Sequence, residues 1–179
     1  MQNVKCKNRT ATTALFFFIL HFAFCISGFA QDDEVAPPPL KVFSKEERSR
    51  LDAKSDLKDR TKLALELMDL RLDAAEKFAA GQEFEPMFRE LGSFHALMDE
   101  SLEFLGHRDT GSNGKVLDNF KRLEIGLRGF SPRIETIRRE LPIRYDDYVR
   151  KLMKYVRDAR TRAVDPLFGE TVIKPKSEY

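Results

Sequence analysis

The chain has 179 residues, two cysteines and no tryptophan, with 31 Lys and Arg against 29 Asp and Glu for a formal net charge of +2. That near balance excludes reading a partner from the overall charge, and the length sets a ceiling of one domain with one substantial core.

Residues 1–30 read as a secretory signal peptide, with Lys5, Lys7 and Arg9 as its charged opening. The apolar middle, Ala14–Ile26, has 13 residues interrupted by His21, short of the ~20 that span a bilayer. Cys25 is a poor lipid-attachment site, because Phe24 stands where a small residue is wanted. Gly28 and Ala30 supply the small residues of a cleavage site, so cleavage is expected between Ala30 and Gln31. It removes Cys6 and Cys25, leaving a cysteine-free mature chain without disulfide, thiol nucleophile or thiolate metal site. An exported chain of that kind suits a bacterial envelope, periplasmic or secreted.

Gln31–Tyr179 carries 28 Lys and Arg against 29 Asp and Glu, unevenly placed. Residues 31–109 hold 19 acids and 12 bases, and residues 110–179 hold 10 acids and 16 bases. Helices that bring the halves together should attract each other. Residues 31–43, acidic and then Pro37-Pro38-Pro39, predict an extended tether. Ser44 with Glu47 forms a capping box, and Ser55-Asp56 looks like a second N-cap. The pattern predicts a short helix over 45–54, a break, and a central helix over 57–80, with one uninterrupted helix as the alternative.

The central helix carries two adjacent apolar rows: Leu63, Leu67, Leu70, Ala74, Phe78 and Ala64, Met68, Leu72, Ala75, Ala79. Between them they cover more than half the circumference, which requires at least two helical neighbours. Gly81 stands where a left-handed residue ends a helix. Phe84-Glu85-Pro86 then opens a helix to about Leu105 with the core row Phe84, Phe88, Leu91, His95, Met98, Leu102 and Leu105. Residues 106–114 predict a loop. The next row, Val116, Phe120, Leu123, Leu127, Phe130, Ile134, Ile137 and Leu141, keeps its phase through Pro132, which predicts one long helix kinked there. The last helix spans about 144–164 with Tyr145, Tyr148, Val149, Leu152 and Val156 inward, stopped by Asp165-Pro166. Residues 169–179 are a tail. The expectation is all-α: an antiparallel four-helix bundle over 44–168 with a short helix in front.

His95, Asp99 and Glu103, continued to His107, recur every fourth residue and offer imidazole and carboxylate ligands on one ridge. Four-residue spacing drifts about 40° per step, so two or three neighbours could share an ion and four could not. The competing reading is a core histidine beside a solvated acidic edge. The strip Glu66, Asp69, Asp73, Glu76 could receive a cation or a basic partner, or be a solvated face. Arg150, Lys151, Lys154 and Arg157 give the last helix a basic surface, diluted by Asp147 and Asp158. Export makes nucleic acid a poor partner for it; an anionic envelope component or an envelope protein fits better. No haem, di-iron, nucleotide or nucleophile-elbow motif is present. The first expectation is therefore a non-enzymatic exported bundle, without cofactor and not membrane-spanning after cleavage, that binds an envelope partner. A metal- or ligand-binding bundle using His95 and its carboxylates is second, and a carboxylate-based glycan hydrolase third.

Overall fold

The computed structural model describes residues 35–108 and 114–168. The signal peptide, its cleavage site and the 169–179 tail lie outside the described residues. The described residues form five helices and no strand, and none of the helices is long and apolar enough to cross a membrane. They are α1 (Lys45–Asp52), α2 (Leu57–Ala80), α3 (Phe84–Gly106), α4 (Gly114–Arg139) and α5 (Ile143–Phe168).

Local chemistry sets the boundaries. The capping box forms: the Glu47 N–H donates to Ser44 Oγ at 3.1 Å, and the Ser44 N–H donates to Glu47 Oε2 at 2.8 Å. Asp56 caps α2, its Oδ1 accepting the N–H groups of Lys58 at 2.9 Å and Asp59 at 3.0 Å. Residues 44–80 are therefore two helices. At the far end of α2 the left-handed residue is Gln82, with φ 59°, while Gly81 stays right-handed with φ −80°. The Glu83 N–H donates to Phe78 O at 2.8 Å and the Gln82 N–H to Ala79 O at 3.0 Å. Those two bonds make a Schellman turn whose left-handed position falls one residue after the glycine. Pro132 lies inside the continuous α4. Pro166, expected to stop the last helix, lies inside α5, which runs on to Phe168. A proline there fixes φ at a helical value but removes the N–H that would reach the carbonyl four residues back.

α2 packs most extensively on α3, and α4 on α5; α2 also meets α4, α3 meets α5, and α1 lies on α2. Leu67, Met68, Leu72 and Ala75 of α2 enter a core shared with Leu91, Phe94 and Met98 of α3, Leu123, Leu127 and Ile134 of α4, and Val149, Leu152 and Val156 of α5. Phe94 meets Phe130 edge-on, with ring centroids 5.6 Å apart. Leu70, placed in the core by its spacing, is 59% exposed. α2 is rotated so that the acids beside Leu70, for which the sequence leaves open both a basic partner and a solvated face, turn toward Arg133 of α4. Gly126 of α4 permits that approach, since a Cβ there would lie 2.4 Å from Leu65 Cδ2.

Residues 35–43, read from sequence as a tether, lie along the helices as a strap. Ala36 is buried, and its N–H donates to Arg144 O at 2.9 Å. Ser93 Oγ donates to Val42 O at 2.7 Å. At Gly92 a Cβ would stand 2.5 Å from Leu40 O, so the crossing over α3 requires a residue without a side chain.

Candidate functional site

Three places gather polar chemistry: the His95 ring under the strap, the arginine-bound acids at the helix seams, and the outer face of α5.

His95 sits in the apolar row of α3 and is 1% exposed. Its Nδ1 lies 3.4 Å from Tyr148 Oη, and its Nε2 lies 3.5 Å from Asp99 Oδ2. A carboxylate can only accept, so Nε2 carries the hydrogen toward Asp99 and Nδ1 accepts from the Tyr148 hydroxyl. The Tyr155 ring lies 4.8 Å from the imidazole. From the strap, Lys41 Nζ donates to Asp99 Oδ2 at 3.2 Å and stands 5.2 Å from the Tyr155 ring centroid. Burial is the chief cause that holds the His95 pKa below its ordinary value; the Lys41 charge adds to it, and Asp99 opposes both. Burial likewise raises the Tyr148 hydroxyl, helped by Asp99 and Tyr155. The imidazole is therefore neutral near pH 7.

Of the proposed ligand ridge, Asp99 reaches His95 and Glu103 does not. Glu103 is exposed, and its backbone carbonyl accepts a hydrogen bond from His107 Nδ1 at 2.7 Å. Among the described residues no three His, Cys, Asp or Glu side chains converge as a metal cluster would require. Sequence spacing gave Asp99 and His95 together; it gave no hint of Lys41, which comes from 58 positions away. Tyr148 was legible as a phenol in a buried row, which must find a polar partner.

The acidic strip of α2 receives a cation from within the chain. Arg133 of α4 donates through Nε and Nη2 to Glu76 at 2.7 Å each, through Nη1 to Asp69 at 2.6 Å and through Nη2 to Asp73 at 2.5 Å. Arg71 of α2 clasps Glu47 of α1 with Nε and Nη2, at 3.0 and 2.7 Å, and Glu90 of α3 with Nη1 at 2.8 Å. Glu124, almost buried on α4, is held by Arg128 of its own helix and Arg160 of α5, each at about 3.0 Å. Arg60 reaches Asp52, Glu100 and the Leu51 carbonyl, closing the end of α1.

Open grooves also lie among the described residues. One of 590 Å³ is lined by Arg50, Lys54, Asp59, Lys62, Leu63 and Glu66. Another, of 430 Å³, brings Asp56 of α2 and Asp118 of α4 to one cleft with Lys58 and Arg122. Asp56 is committed there as an N-cap.

On α5, Arg150 pairs with Asp146, and Lys151 with Asp147 at 2.8 Å. Lys154, Arg157 and Arg162 are exposed and make no ion pair among the described residues. No protein-family model, no curated protein and no solved structure matches this chain.

Proposed function

We propose that the chain is an exported helical bundle that binds an anionic component of a bacterial cell envelope through the outer face of α5. The architecture of the reading is a four-helix bundle of two antiparallel hairpins, α2–α3 and α4–α5, with α4 bent at Pro132. The hairpin directions rest on paired contacts: Arg71 with Glu90 and Arg60 with Glu100 in one, Arg138 with Asp146 and Arg160 with Glu124 in the other. Across the hairpins the order ascends instead, Leu65 near Gly126 and Arg133 beyond it on Asp73, so α2 and α4 run the same way.

The observation that carries the function is an asymmetry of pairing. Asp69, Asp73 and Glu76 of α2 are neutralised by Arg133, and Glu90 and Glu100 by arginines of α2, all at seams between helices. Lys154 and Arg157 of α5 point to water and make no ion pair among the described residues. A small basic face left over after internal pairing attracts polyanions within about a Debye length, ~8–10 Å in physiological salt. The signal-peptide pattern at residues 1–30 supports export, and outside the cytoplasm anionic lipid headgroups and acidic polymers are the available surfaces. A photo-crosslinker at position 154 in cells should capture an envelope component that one at Glu66, on the α2 side, does not. Equal capture at both positions, or capture of cytosolic material alone, would remove the proposal.

A further inference from the structure

We infer that the strap of residues 35–43 is a proton-operated latch, released from α3 when His95 takes up a proton. The strap has few holds. They are the Ala36 N–H on Arg144 O with burial of the Ala36 side chain, the Ser93 hydroxyl on Val42 O, Lys41 on Asp99 and the Tyr155 ring, the packing of Phe43 against the core, and the close crossing at Gly92. A segment held by so few contacts opens locally without unfolding the helices beneath it. Leu40 and Val42 are exposed on its outer side, so of its apolar side chains lifting costs chiefly the burial of Ala36 and Phe43.

The trigger lies beneath the crossing. The titratable groups around the His95 ring are Asp99 on its own helix, Lys41 on the strap, and Tyr148 and Tyr155 on α5. With the strap down, burial and Lys41 oppose the imidazolium, and Asp99 favours it. Lifting the strap removes the Lys41 charge and opens the Asp99 edge of the ring to water. The favourable carboxylate stays, because it is on α3 four residues away. The lifted form therefore binds the proton more tightly, and linkage makes acid populate it. The sign follows: the histidine pKa is lower with the strap down than with it lifted. The closing preference is then complete above the lifted-state value and is lost as pH falls from there through the lower strap-down value. Each pKa unit between the two states is worth tenfold in the opening equilibrium.

The latch is read by hydrogen exchange on the full chain between pH 7.5 and 5.0, corrected for the intrinsic pH dependence of exchange. The reporting amide is Ala36, with the α2 amide of Leu67 as the reference for global unfolding. Protection at Ala36 should fall by about fivefold or more toward pH 5.0 while that at Leu67 holds. His95→Gln, which keeps a polar side chain but cannot titrate, should abolish the pH dependence. Gly92→Ala should leave Ala36 poorly protected at every pH, because its Cβ meets Leu40 O. Should His95→Gln fail to fold, Lys41→Gln serves instead: it should raise the His95 titration midpoint followed by NMR. Protection that is unchanged or greater at pH 5.0, an equal fall in His95→Gln, or a His95 midpoint unmoved by Lys41→Gln would each overturn the latch.

Discussion

Replacing Arg133 with methionine tests how the acidic strip of α2 is used. Methionine keeps most of the aliphatic stem but none of the donors. Three ion pairs are lost, to Asp69, Asp73 and Glu76, whose side chains are 54, 47 and 36% exposed. Exposed pairs contribute ~0.2–1 kcal/mol each, so the sum for three is about 0.6–3 kcal/mol. The three carboxylates left facing α4 then repel one another, which keeps the estimate off its lower edge. For a domain of this size the loss should appear as a melting temperature lowered by roughly 4–10 °C. Arg133→Lys, which keeps the charge and loses the planar fork, should fall between wild type and methionine. In 1 M salt, where the Debye length is ~3 Å, the gap between wild type and methionine should shrink by about half. Circular dichroism melts of the three proteins at two salt concentrations give the answer. A methionine variant that melts with wild type, or a gap insensitive to salt, would mean that the strip is a solvated face and Arg133 an ornament on it.

Gln82→Gly should stabilise the domain by about 0.5–1 kcal/mol in urea unfolding, because it places the permissive residue at the left-handed position. Leu67→Asp should abolish the cooperative melt, since an unpaired carboxylate in the core costs several kcal/mol against a total of ~5–15. Glu124 is held below its ordinary pKa by Arg128 and Arg160 against the opposing effect of burial. Its contribution is thus present above the unfolded value of about 4.3 and lost as pH falls through the lower folded value. Glu124→Gln should therefore lower stability at pH 7 by about 1–2 kcal/mol and flatten the loss of stability below pH ~4.5, measured by urea unfolding across pH.

The helices were legible where local chemistry decides. Ser44 with Glu47, Asp56, and Pro86 in a first turn each satisfy or excuse orphan backbone donors, and α1, α2 and α3 begin where those residues say. What sequence could not show is rotation about an axis. Leu70 and Asp69 are neighbours in the chain, and nothing local says which of them faces α4; that depends on one arginine, Arg133, far along the sequence. The strap was hidden for a similar reason, since three prolines predict an extended chain whether or not it docks. Its trace was Gly92, a glycine inside an apolar helix where alanine would be about 1 kcal/mol better. The close crossing by Leu40 explains it. The misplaced helix end at Pro166 came from treating proline as a stop, when its fixed φ is itself helical and the chain runs on to Phe168.

The central claim is that α5 presents a basic binding face, and affinity for vesicles tests it most directly. Sedimentation with vesicles of phosphatidylglycerol and phosphatidylcholine, against phosphatidylcholine alone, would be compared at about 50 and 300 mM salt, concentrations at which the Debye length differs by about 2.4-fold. The account predicts binding to the anionic vesicles alone, weakened at the higher salt, and lost in Lys154→Glu/Arg157→Glu while the melt of that variant stays near wild type. Binding that survives the double charge reversal, or none to the anionic vesicles at low salt, would contradict it.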